Sequence, residues 1–122
     1  MPKHFEKKIV NFTAKQMYEL VADIDNYREF LPWCNDSKII EITNIDNEKK
    51  TLIADLEIGY KDLVYTYRSN VLLNNQELTI KVDFIHGPFK NLDNSWIFKK
   101  IDDQSCEIEF FIDFEEFVCE LL

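Results

Sequence analysis

Two residues carry side chains that could attack or abstract: the Cys34 thiol as a nucleophile and the His86 imidazole as a general base. Either role needs a partner within hydrogen-bond reach and a third group to orient it. No carboxylate is spaced to orient either one, and His4 reads the same way. His86, beside Gly87-Pro88, reads as a turn histidine, and Cys34 as a small buried hydrophobe. The catalytic set is therefore expected to be empty and the protein a non-enzyme. The cysteines, Cys34, Cys106 and Cys119, are odd in number and lack metal-ligand spacing, and two histidines add too few ligands for zinc. No metal and no required cofactor are expected. Free thiols suit a reducing compartment.

The chemistry that remains is recognition of something apolar. Ten Phe, five Tyr and two Trp are many rigid rings for one small core to interdigitate, whereas a cavity could be lined with them. Two stretches set large apolar residues beside proline or glycine where loops are expected. They are Tyr27-Arg28-Glu29-Phe30-Leu31-Pro32-Trp33-Cys34 and His86-Gly87-Pro88-Phe89-Lys90-Asn91-Leu92. Loops normally run over the surface, so apolar ones suggest a lid above a hydrophobic ligand.

The elements that must position these residues follow from the period. Residues 4–10 read as a strand. Thr13 and Gln16 then form a capping box, with Phe12 placed to staple against Met17. Met17, Leu20, Val21 and Ile24 follow at helical spacing. A second short helix is expected over 27–31, stopped by Pro32. From Ser37 the period becomes two, with Ile40 and Ile42 in-facing. Next come Leu52, Ala54, Leu56 and Ile58, a turn at Gly59, and Leu63, Tyr65, Tyr67, Ser69 and Val71. Leu78, Ile80, Val82 and Phe84 follow, then Trp96 and Phe98, and finally Cys106, Ile108, Phe110, Ile112 and Phe114. Six successive strands with short polar turns imply an antiparallel meander with one apolar and one wet face.

At 122 residues, without linker or repeat, this is one domain, residues 1–122. The net charge of -9 repels phosphate backbones, so direct DNA binding is not expected. Met1–Glu6 has no apolar core like that of a signal peptide, and no run is long enough to span a bilayer. A cytoplasmic location is expected, with contact at a membrane surface open to it.

Two motifs carry a family resemblance. Residues 27–37 resemble the Tyr-x-x-Phe-hydrophobic-Pro-Trp-Cys-x-x-Ser segment of the coenzyme Q-binding START-domain family, whose members include RatA-type ribosome-association toxins and ubiquinone-binding proteins. Residues 87–98 resemble its Gly-Pro-Phe-x-x-Leu-x-Gly-x-Trp-x-Phe motif, with Asn94 in place of the last glycine. The resemblance implies an α+β helix-grip (START/Bet v 1-like) fold, a curved antiparallel sheet with an N-terminal strand and two short helices. It also implies a long C-terminal helix, largely missing here, so that the domain is expected to be C-terminally truncated relative to the family.

The function implied is non-enzymatic binding of ubiquinone or a related lipid in support of respiratory electron transport. The alternative is a toxin that binds ribosomal subunits and inhibits translation. The expected ligand-binding set is Pro32, Trp33, Leu56, Ile58, Tyr65, Tyr67, Phe84, Phe89, Trp96, Phe98, Phe110 and Phe114, with the two tyrosine hydroxyls as anchors for a quinone carbonyl. Because one helix cannot cover six strands, a homodimer through the open face is expected, with Phe114, Phe117, Val118, Leu121 and Leu122 near the contact.

Overall fold

A computed structural model describes residues 3–26, 34–60, 63–87 and 89–116. Seven strands form a single sheet: β1 (Lys3–Val10), β2 (Cys34–Asn44), β3 (Lys49–Tyr60), β4 (Leu63–Asn74), β5 (Thr79–His86), β6 (Phe89–Lys100) and β7 (Cys106–Glu116). All neighbours are antiparallel in the order β1-β7-β6-β5-β4-β3-β2, so β2 to β7 form the meander and β1 returns beside β7. The helix α1 (Ala14–Ala22) and a 3₁₀ turn (Ile24–Asn26) link β1 to the region before β2. This is the antiparallel meander that the period-two pattern implied, in the curved, helix-gripping form that the family resemblance implied, with one α-helix described. No helix among the described residues is long and apolar enough to cross a membrane.

The helix starts where the capping box places it. The Gln16 amide donates to Thr13 Oγ1 at 3.1 Å, and the Thr13 amide donates to Gln16 Oε1 at 2.9 Å. Its buried stripe differs from the expected one. Ala14, Tyr18, Val21 and Ile24 are buried and Met17 packs beside them, but Leu20 is 46% exposed. Tyr18 takes the inward position because its ring meets Phe98 edge-on at 6.1 Å. Phe12, the expected staple, is exposed as well.

Other local readings also shift. A bulge between Ile39 and Glu41 turns Ile39 onto the buried face and leaves Ile40 exposed. Gly59 lies inside β3 rather than at its turn. Phe89–Leu92 is the start of β6, not a loop, so the lid expected there is part of the sheet. The expected helix over 27–31 and the dimer-contact residues 117–122 lie outside the described residues, as does the side chain of Phe114.

Leu52, Ala54, Leu56, Val71, Leu73, Ile80, Phe98 and Cys106 form the core on the face that α1 covers, called the inner face below. At roughly 1.5–3 kcal/mol for each large apolar side chain, this seam holds helix to sheet.

Candidate functional site: an apolar cavity under the helix

The helix crosses only part of the inner face, and a cavity of about 420 Å³ opens beside it. Cross-strand pairs build the wall. Leu56 faces Tyr67 across β3 and β4, Val71 faces Val82 across β4 and β5, and Trp96 faces Phe110 across β6 and β7. The last pair meets edge-to-face with centroids 4.6 Å apart, while Trp96 stacks on Phe98 at 6.2 Å and 7°. Val21 and Ile24 close the helical side. Among the described residues the wall is mostly apolar, with polar side-chain atoms from Glu6, Lys8, Tyr67, Ser69, Asn94 and Trp96. A larger cleft of about 520 Å³ lies between α1 and the β2–β3 hairpin, but Glu19, Asp23, Asp46, Glu48, Lys49 and Lys50 make it a charged surface groove. Ligand sites are typically concave, apolar and provided with few polar groups, so the smaller cavity is the candidate.

Burial sets its electrostatics. Desolvation, followed by the nearby Cys34, pushes the Tyr67 hydroxyl up to about 12. Ser69 is 1% exposed, and neither its Oγ nor the buried Ser37 Oγ on β2 has a hydrogen-bond partner among the described residues. Asn94 Nδ2 donates to the Phe111 carbonyl at 2.7 Å. Gly87 explains why glycine precedes the β6 strand: with φ at +155°, a Cβ built there would lie 2.6 Å from Tyr67 Cβ. The hairpin therefore presses backbone against the cavity wall where no side chain fits.

The reactive residues are placed otherwise. Cys34 is buried, its Sγ donates to the Asp36 carbonyl at 3.3 Å, and desolvation pushes its thiol up. That keeps it protonated, whereas a nucleophilic thiolate needs a lowered value. His86 is exposed at the end of β5 opposite Arg68. Among the described residues no group of three or more His, Cys, Asp or Glu could hold a metal ion.

Of the residues expected to bind ligand, Leu56, Tyr67, Trp96 and Phe110 line the cavity. Phe98 does not. It is 3% exposed, wedged between Tyr18 and Trp96 in the core. Tyr65 is half-buried opposite Ile58, beyond the cavity wall, and Phe84 packs toward Gly87. Pro32 and Trp33, and the side chains of Ile58, Phe89 and Phe114, lie outside the described residues. The wall also holds residues the reading passed over: Val21, Ile24, Ser69, Val71, Val82, Leu92, Asn94, Ile108 and Ile112. Most share the inner face by alternation, which was the available signal. Glu6 and Lys8 on the edge strand had none.

A curved seven-stranded antiparallel sheet gripping one helix over an apolar cavity defines a START-like, helix-grip protein. The chain belongs to the polyketide cyclase/dehydrase and lipid transport family, whose model matches residues 10–121. It is 36% identical over 115 residues to the ribosome association toxin RatA of Escherichia coli K12, covering 94% of this chain and 69% of that protein. It is 30% identical over 116 residues to the mitochondrial coenzyme Q-binding protein COQ10 homolog B of Xenopus laevis, covering 93% and 46%. A START superfamily protein from Mycobacterium smegmatis superposes with a TM-score of 0.80 over 93% of this chain and 77% of that one; at 14% identity the likeness is one of fold.

Proposed function

We propose that this protein binds an apolar ligand, an isoprenoid quinone of the ubiquinone type or a related lipid, without converting it, in support of respiratory electron transport. The observation that carries the reading is the 420 Å³ cavity walled by Leu56, Tyr67, Trp96 and Phe110. Each 100 Å² of apolar ligand surface removed from water is worth about 2.5 kcal/mol. Retention therefore needs no covalent step, and the protonated Cys34 thiol fits a binding role. Tyr67 and Trp96 supply donors for a quinone oxygen at the edge of an otherwise greasy wall. The coenzyme Q-binding relative supports this ligand class.

Mass spectrometry of organic extracts of the purified protein tests the reading. Quinone or isoprenoid lipid should co-purify, and Tyr67→Ala or Trp96→Ala should lose it, while Arg68→Ala, on the outer face, should keep it. Comparison is confined to variants that remain folded, since truncating a core aromatic costs about 3–5 kcal/mol. Equal retention by folded Trp96→Ala and the parent removes Trp96 from the site.

A second reading is favoured by the RatA relatives: association with ribosomal subunits that inhibits translation. The acidic chain would meet basic ribosomal proteins rather than rRNA. Co-sedimentation with separated subunits, absent from the extract-only controls, would favour it. Both readings place the protein in the cytoplasm, the first also at the inner-membrane surface.

A further inference from the structure

We propose that Asn94 makes the cavity selective for apolar ligands bearing a hydroxyl, so that of a quinone and its quinol the quinol is held more tightly. The quinone half of this inference rests on the reading above; the preference for hydroxyl over carbonyl does not.

Asn94 lies in β6 between Val82 of β5 and Ile112 of β7, two residues before Trp96 on the same face. Its side chain belongs to the cavity wall. One end of the amide is committed: Nδ2 donates to the Phe111 carbonyl oxygen at 2.7 Å. Two oxygens would repel at that separation, so the hydrogen bond fixes which end is which. The other end, Oδ1, accepts from no donor among the described residues. The wall thus carries an oriented acceptor that only a donor can satisfy.

The remaining polar wall groups do not supply the same selection. Lys8, the Trp96 indole and the Tyr67 hydroxyl can donate, so each can meet a carbonyl or a hydroxyl oxygen. Glu6 also accepts only, but its side chain is 63% exposed on the edge strand, where water satisfies it whichever ligand is bound. Ser69 can both donate and accept, and its Oγ is enclosed. A ligand hydroxyl donates to Asn94 while accepting from Trp96 or Lys8. A carbonyl in the same place accepts only, and by displacing water it leaves Asn94 Oδ1 unpaired. Sites that hydrogen-bond a ligand O–H discriminate against the analogue lacking it because a buried polar group is then left unmade. Glycine, which occupies this position in the motif that residues 87–98 resemble, offers no acceptor.

The test is calorimetric titration of the whole chain under argon with two matched pairs, decylubiquinol against decylubiquinone and cyclododecanol against cyclododecanone. The parent should bind the hydroxyl member of each pair about tenfold more tightly. In Asn94→Leu the ratio should fall to about one, and Asn94→Gly, which cannot overpack the wall, should do the same if the leucine variant fails to fold. Equal binding by the parent overturns the inference, as does a preference that survives both substitutions. Binding of the cyclic pair with the expected preference but of neither quinone form leaves the inference standing and removes the quinone reading. Binding of no probe overturns both.

Discussion

The two faces of the sheet are made by the same seven strands, yet they place their polar groups differently. On the outer face two charge clusters are paired, although Asp113 buries one carboxylate oxygen with no partner among the described residues. Arg68 forks onto Asp55 at 2.7 and 3.0 Å, and Lys7 and Lys99 both reach Glu109, at 3.3 and 3.0 Å. On the inner face, Ser37 and Ser69 bury hydroxyls with no partner among the described residues, and the half-buried Asn94 uses one end of its amide. Buried polar atoms are normally hydrogen-bonded, and leaving one unmade costs about 1–3 kcal/mol. Of these atoms the Ser69 hydroxyl is the one buried in the cavity wall, where an occupant could satisfy it. The contrast is not one of hydrophobicity alone, because the outer face also carries Phe5, which pairs with Phe111 and is 58% exposed.

The largest effect should come from comparing one aromatic on each face. Phe98→Ala opens a hole between Tyr18 and Trp96 and should lose about 3–5 kcal/mol in urea unfolding. Phe5→Ala should change stability by less than about 0.5 kcal/mol. Comparable losses would mean that the outer face is as closed as the inner one.

Next in size is Gly87→Ala. The new methyl meets Tyr67 Cβ at 2.6 Å and Phe84 Cε1 at 3.2 Å, so the hairpin or the wall must move. Overpacking of this kind costs about 1–3 kcal/mol, and ligand retention should fall with it because Tyr67 is displaced. An unchanged urea midpoint would show that the β5–β6 connection does not press on the cavity.

The smallest effect is in pH, where the faces should respond at opposite ends. On the outer face the Arg68 hydrogen bond holds the Asp55 carboxyl below its usual range, and Lys99 and then Lys7 do the same for Glu109. Depressed acids contribute stability that is complete above their unfolded values near 4 and is lost as pH falls through the lower folded ones. On the inner face Tyr67, raised to about 12 by burial, contributes stability that is complete below its unfolded value near 10 and is lost as pH rises toward that higher one. Urea midpoints measured across the range should decline at both ends, with Asp55→Asn flattening the acid limb and Tyr67→Phe the alkaline limb. Identical limbs in parent and variants would break the assignment of each limb to its face.

Much of this organisation is legible along the chain. Ser69, Val71, Ile80, Val82, Trp96, Ile108 and Phe110 fall on the inner face as their spacing requires, and Thr13 with Gln16 caps α1 as their identities require. The exceptions have local causes. Ile40 is turned outward by a bulge that adds one residue to β2, which no alternation rule can anticipate. Leu20 loses the inward position to Tyr18, because the helix rotates to seat a ring against Phe98. Glu6 and Lys8 reach the cavity only because β1 pairs with β7, more than ninety residues away.

Away from the bulges, the sequence by itself determined which side of each strand a residue takes, because side chains on an extended backbone alternate between faces. It also placed the helix start and the meander of short turns. Only the tertiary structure decided which inner-face residues meet other side chains and which meet empty space. Trp96 and Phe98 are two residues apart with the same orientation, yet one lines the cavity and the other is sealed beneath the helix. The difference is set by where α1 crosses the sheet, and that line follows from packing between residues distant in the chain.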